Sequence, residues 1–212
     1  MLGDLSARYE SNGEPGCVSS GWNDLGGASY GAYQFASAMG VPADFVAWLA
    51  RQGYSQADKL IRAGAPGTPF FSQVWAHVAE QDYDGFLAMQ HEYVKQYYYD
   101  TAVRYLRQTG FNAEKHSKAM QDVIWSRAVQ YGAGAVVEMF EAAVLQLGHP
   151  NLTYVDDIAF DGDMIRAIYL GVCMSDEWTN GSPGLRSGLY ARFESECQSA
   201  LEMLEKEEME SV

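Results

Sequence analysis

Apolar residues return at intervals of three and four along nine segments of this chain: 1 to 10, 43 to 52, 55 to 63, 70 to 80, 84 to 108, 114 to 130, 134 to 147, 155 to 174 and 186 to 208. That spacing lines one stripe of a helix, so each segment can bury one face and leave the other in water. The stops between them are written in Gly and Pro, as "AGAPGTP" at 63 to 69, "TGFN" at 109 to 112, "GHPN" at 148 to 151 and "TNGSPG" at 179 to 184. One stretch, 17 to 35, breaks the pattern. There Gly-Trp-Asn-Asp-Leu-Gly-Gly separates two short stretches, and Gly26-Gly27 can supply the positive φ of a tight turn. The expectation is a mainly α (α+β) fold, helical with one small β-hairpin. It forms a single domain over 1 to 212, in one or two lobes, and closes in an acidic helix and tail from about residue 195.

With 212 residues, 48% of them apolar, the chain can bury a sizeable core. It contains no run of about 18 apolar residues, so no membrane span is expected. The Met1 end lacks the basic and apolar regions of a signal peptide, which predicts a protein made in a cytoplasm and moved by another route. Cys17, Cys173 and Cys197 are odd in number and show no metal-ligand spacing, as expected of reduced thiols. A formal net charge of −14 repels phosphate backbones and anionic membrane surfaces, which excludes nucleic acid as an expected partner. Part of that charge lies in "ESECQSALEMLEKEEMESV", read either as a solvated helix face with an acidic tail or as a partner-binding tail.

The candidate chemistry gathers where the hairpin interrupts the helices. Glu10 ends the first segment, and a hairpin folding back over that end brings Asp24 near it. Two carboxylates, one shielded and one wetter, can cleave a glycosidic bond. The shielded one protonates the leaving oxygen, and the other stabilises positive charge on the sugar or positions a water. Tyr9, Trp22, Tyr30 and Tyr33 would supply stacking faces for sugar rings. The alternative reading keeps Glu10 as a helix-end carboxylate and Asp24 as an ordinary turn residue.

Other chemistries find less support. His77, His91, His116 and His149 are scattered without HExxH spacing, so no metal or other cofactor is expected. No GxSxG elbow accompanies the serines. Tyr93, Tyr97, Tyr98, Tyr99 and Tyr105 lie on a long helical segment, where at least half would pack in the core. Arg186 and Arg192 among acids read as an ion-paired helix.

"ES" followed by "GW.D.GG.SYG.YQ" resembles the active-site segment of goose-type lysozymes and related lytic transglycosylases, and "QYGAG" at 130 to 134 is similar to their Tyr-Asn-Ala-Gly signature, with Gly132 in place of Asn. The resemblance implies a lysozyme-like fold with the hairpin at an active-site cleft. It makes Glu10 the general acid, sets Asp24 at the first carboxylate of the hairpin, and has Trp22, Ser29, Tyr30, Tyr33, Gln34 and Tyr131 contact substrate, with Gly31 permitting close approach of a sugar. Where that family carries a further aspartate, this chain has Ala36 and Ser37. The implied activity is a muramidase acting on peptidoglycan glycan strands between N-acetylmuramic acid and N-acetylglucosamine. A chitosanase, whose polycationic substrate a −14 protein would attract, and a non-catalytic wall-binding module are the alternatives. The delivery routes that fit are a phage endolysin released through a holin, a phage-tail lysozyme, or a toxin carried by an injection apparatus.

Overall fold

A computed structural model describes residues 2–3, 13–19, 27–175 and 183–210, with side chains of the last helix from 188 onward. The chain divides into two compact units, Glu10–Lys95 and a second built from Met1–Tyr9 together with Gln96–Val212. The fold is mainly helical with one small sheet, as the apolar spacing predicts.

The first unit carries that sheet, which has three antiparallel strands rather than the two expected: β1 (Val18–Ser19), β2 (Ser29–Tyr30) and β3 (Phe35–Ala36), in that order. Val18 lies opposite Tyr30, and Tyr30 opposite Phe35. The extra strand exists because residues 31–34 close a second turn, which uses a positive φ at Gly31 and also at Gln34, where φ is 49°. Glycine announces such a conformation; glutamine does not. Four helices follow: α1 (Val41–Arg51), α2 (Ala57–Ala63), α3 (Pro69–Gln81) and α4 (Tyr83–Val94). α3 starts where its chemistry says it should, with Pro69 in its first turn and the Thr68 hydroxyl accepting from the Phe71 amide.

Trp75 on α3 is the centre of this unit. It is fully buried, with the rings of Phe86, Tyr30, Phe45 and Phe71 at 4.9, 5.3, 5.7 and 6.0 Å. Tyr30 and Phe35, cross-strand partners, send both rings into this aromatic core, so the sheet is pinned to the helices by its own inward face. Each such ring buried is worth roughly 1.5–3 kcal/mol.

The second unit is helical: α5 (Asp100–Gln108), α6 (Lys118–Tyr131), α7 (Ala133–Gln146), α8 (Asp161–Met174) and α9 (Pro183–Glu210). α6 is buried on every side from Ala119 to Ala128 except at Gln121, packed by α5, α7, α8 and α9. A helix enclosed in this way must have its polar ends satisfied by protein rather than water. Ser117 caps it by accepting from the Met120 amide, and Glu207 of α9 accepts from the Lys118 and Ala119 amides at 2.9 and 2.8 Å. The terminal acidic run is thus in part structural. Gly3 belongs to this unit as well, its amide donating to Asp122 at 2.7 Å, and a β-carbon there would stand 2.5 Å from the Trp125 ring.

Three helix boundaries differ from the apolar spacing. The segment 84 to 108 is broken by a π-helical turn at Lys95–Tyr99, which sets Tyr93 and Tyr99 inward and leaves Tyr97 and Tyr105 exposed. The segment from 114 begins as a 3-10 turn before Ser117 starts α6, and the segment from 155 runs through two 3-10 turns before α8. The expected first helix, 1 to 10, falls mostly outside the described residues.

Candidate functional site

Glu10, Trp22 and Asp24 lie outside the described residues. What the structure describes is the framework on either side of them in sequence. Pro15 is held by its carbonyl, which accepts from Trp75 Nε1 at 2.9 Å and from Gln90 Nε2 at 3.0 Å, both deep in the first unit. The same Gln90 accepts the Ala32 amide on its Oε1 at 2.8 Å. One buried amide therefore ties the segment that follows Glu10 to the turn between β2 and β3. Fully buried, and using both ends of its side chain, Gln90 is the polar tie of this unit. No motif announces it, since a glutamine on a helix reads as solvated until its neighbours are known.

Gln90 also explains Gly31. A β-carbon there would stand 2.3 Å from Gln90 Oε1, and φ is +79°. Gly31 makes room for a protein side chain, a use of its bareness that the motif does not disclose.

The remaining candidates divide between the units. Ser29, Tyr30, Tyr33 and Gln34 sit together on the sheet and its second turn. Tyr30 is wholly buried; its hydroxyl lies 2.8 Å from Ser72 Oγ and accepts from the Gly67 amide at 2.8 Å, so in this conformation it has no surface to offer a ligand. Tyr33 is 5% exposed and its hydroxyl lies 2.9 Å from Nδ1 of His91. Gln34 is half-buried, and both its backbone amide and its Nε2 donate to the Gly31 carbonyl, at 3.2 and 3.0 Å, which holds the residue in its left-handed conformation. Ser29 is half-buried on β2.

Tyr131 ends α6 in the other unit. Its ring lies 5.7 Å from the Arg127 guanidinium, and burial pushes its hydroxyl up to about 12 against the lowering effect of Arg127 and Arg192. Arg127 is itself fully buried, paired with Glu196 and enclosed by Tyr169 and Phe193 at 4.9 and 5.1 Å. Glu196 in addition accepts from Ser126, Tyr169 and Arg192. The ion-paired helix expected around Arg192 is present, and its main acidic partner is buried. Burial raises the Tyr169 hydroxyl far above its ordinary range.

A second buried polar cluster in this unit holds His116, with Nδ1 2.6 Å from Asp161 and Nε2 3.4 Å from Asp156 and Phe111 stacked on its ring at 4.0 Å. Among the described residues no group of three or more His, Cys, Asp or Glu side chains is arranged to hold a metal ion, and no helix is long and apolar enough to cross a membrane.

An aromatic-cored unit with a small pinned sheet, joined in sequence to a unit whose described residues are helical, makes a mainly α fold of α+β type. The chain belongs to the family described as "Type VI secretion system spike protein VgrG3-like, C-terminal", whose model matches residues 2–197. Among curated proteins it is similar to the type VI secretion system spike protein VgrG3 of Vibrio cholerae serotype O1, with 38% identity over 135 residues. That match covers 62% of this chain but 12% of the relative, so the chain spans a small part of that protein's length.

This assignment overturns the resemblance to goose-type lysozymes and lytic transglycosylases. The resemblance rested on short Gly- and aromatic-rich strings at 7 to 36 and 130 to 134, whereas the spike-protein family accounts for nearly the whole chain. In the described part of those strings the glycines have local uses: Gly31 clears Gln90, Gly27 clears the Ser37 hydroxyl, and Gly132 turns the chain between α6 and α7 with φ +84°. Among the partners expected, the family, one of secretion-system spikes, bears on the injection apparatus.

Proposed function

We propose that this chain is the wall-degrading part of a secreted spike, cleaving the glycosidic bond between N-acetylmuramic acid and N-acetylglucosamine in peptidoglycan after delivery out of the cell that makes it. The reading rests on one observation above others: Glu10 and Asp24 flank β1, and the segments beside them are locked by Gln90 and Trp75 to a rigid aromatic core. Catalytic carboxylates need such support, because positioning errors of about 1 Å can cost a hundredfold in rate. The spike family supports the route of delivery.

In this mechanism Glu10 donates its proton to the glycosidic oxygen as the C–O bond breaks and the sugar takes on oxocarbenium character. Asp24 draws a proton from a water that attacks the opposite face of the ring. The test is lysis of purified peptidoglycan followed by turbidity, with reducing ends analysed. Glu10→Gln keeps shape but has no proton to give, and should leave less than a tenth of wild-type lysis with binding retained. Asp24→Asn should cost at least about a hundredfold. Near-normal lysis by Asp24→Asn together with 1,6-anhydro ends would replace this scheme with a single-acid transglycosylation.

A second reading has its own observation. A family of secretion-system spikes also suits a module that binds wall glycan without cutting it. Sedimentation of wild-type protein with peptidoglycan, in the absence of any lysis, would favour it.

A further inference from the structure

α8 and α9 pack along their lengths and leave a groove between them that no feature of the proposed reaction uses. One half, a cavity of about 390 Å³, is lined by Cys173 and Leu170 from α8 and by Phe193 and Cys197 from α9. The other half, about 270 Å³, is lined by Ile158, Gly162 and, from α9, Leu201 and Leu204. Arg166 borders both, so the two lie end to end along the helix pair. The lining positions recur every three or four residues on both helices, the pattern by which a third helix lays its side chains into the groove of a pair. From Gly162 to Cys173 the furrow runs eleven residues, roughly 17 Å at helical rise, or about three turns.

The half lined by Leu170, Cys173, Phe193 and Cys197 is mainly apolar, the other half is mainly polar, and the borders of both are acidic. Ile158 is 55% exposed and Leu170 48% exposed, large apolar side chains left in water beside the furrow. Asp163, Glu205 and Glu208 border one half and Glu194 the other, against a single cation, Arg166, which lies 3.5 Å from Asp163. A furrow of this shape, with one apolar half and anionic rims along both, selects an occupant that is apolar on one stripe and cationic on both flanks.

We propose that the α8–α9 groove is a docking site for a partner's amphipathic helix of about three turns, carrying an apolar stripe flanked by Lys and Arg. Its apolar stripe replaces water over Ile158, Leu170 and the cysteines, and its basic flanks meet Glu194, Glu205 and Glu208. This surface lies wholly within the second unit and is independent of the wall-cleaving reading.

The experiment uses the whole chain and a synthetic 14-residue peptide with leucines at helical three-four spacing and lysines elsewhere, followed by fluorescence anisotropy. A scrambled peptide of identical composition controls for charge. The helical peptide should bind at least tenfold more tightly than the scramble. The double variant Ile158→Arg/Leu170→Arg should weaken that binding at least tenfold, while Ile61→Arg/Phe70→Arg, which adds the same charge at exposed sites in the first unit, should change it less than twofold. Glu205→Gln/Glu208→Gln, conservative and exposed, should weaken it severalfold and flatten its salt dependence. Equal binding of both peptides, equal loss in the two arginine variants, or equal binding of a leucine-glutamate peptide each overturns the proposal. A dimer that the groove variant disperses would instead assign the furrow to a second copy.

Discussion

At the scale of single residues, the first unit depends on Gln90 more than on any carboxylate described. Gln90→Leu would remove the acceptor that stands 2.8 Å from the Ala32 amide, while the Pro15 carbonyl keeps Trp75. Losing such a hydrogen bond costs about 0.5–1.5 kcal/mol, so urea unfolding should shift by that amount, and wall lysis should fall further than the stability loss alone accounts for. Unchanged lysis would detach Gln90 from the active framework. Gln34 makes a complementary case, because it combines a left-handed backbone with a side chain that hydrogen-bonds. Gln34→Gly should be near neutral for stability, since relief of a left-handed cost of roughly 1–2 kcal/mol offsets one lost hydrogen bond of about 1 kcal/mol. Gln34→Val should cost about 1–3 kcal/mol, because a β-branched residue resists positive φ. Thermal denaturation of the pair separates the backbone role from the side-chain role, and any lysis defect in the stable Gly variant then belongs to the amide.

Among elements, α6 is where distant parts of the sequence converge. Glu207 caps it from α9 and Asp161 accepts from the Ser117 amide at 2.8 Å. Glu207→Ala should destabilise the second unit by about 1–2 kcal/mol, the usual cost of a lost cap with helix-dipole compensation, measured by chemical denaturation. Next to it, burial pushes the Asp156 carboxyl up, but hydrogen bonds from Lys115, the Asn112 amide and His116 outweigh that effect and hold it below its ordinary 3.8. A carboxyl depressed on folding adds stability above its unfolded value and loses it as pH falls through the folded one. Asp156→Asn should therefore melt lower than wild type at neutral pH, with the gap closing below about 3.8; a gap independent of pH would show that only packing was lost.

These contacts also mark what the sequence could and could not disclose. Helices with one apolar face, such as α1 and α3, follow from their spacing, and Pro69 and Thr68 write the start of α3 openly. The π turn at Lys95–Tyr99 breaks a spacing that stays apolar throughout, so periodicity runs straight across it. The third strand depends on a glutamine taking a glycine's conformation. Glu207, in an acidic run that looks solvated, meets its helix end across 89 residues, and no local pattern carries such a pairing. Of the candidate site, Ser29, Tyr30, Tyr33 and Gln34 share the sheet and its second turn, while Gln90 and Trp75, which hold the framework, have no motif at all.

The whole molecule carries a charge of −14, and this separates attraction from reaction. Chitosan, a polycation, should retain the protein at about 0.01 M salt, where charges interact over roughly 30 Å, and release it near 1 M, where that range is about 3 Å. Retention without new reducing ends identifies an electrostatic association; reducing ends released in proportion to enzyme would make chitosan a substrate and redirect the assignment. The two-unit division has a consequence in time. The second unit is discontinuous, beginning at Met1–Tyr9 and resuming at Gln96, and its most buried cation finds its counter-ion 69 residues later. At synthesis rates of about 5–20 residues per second, Arg127 leaves the ribosome some 3–14 s before Glu196 does. Through that interval the 10–95 stretch can already close around Trp75, while α6 waits with an unmatched charge and without its Glu207 contacts. A chain released before α9 would carry a finished first unit and an unfinished second, so the second unit closes only once the final turns of that helix are made.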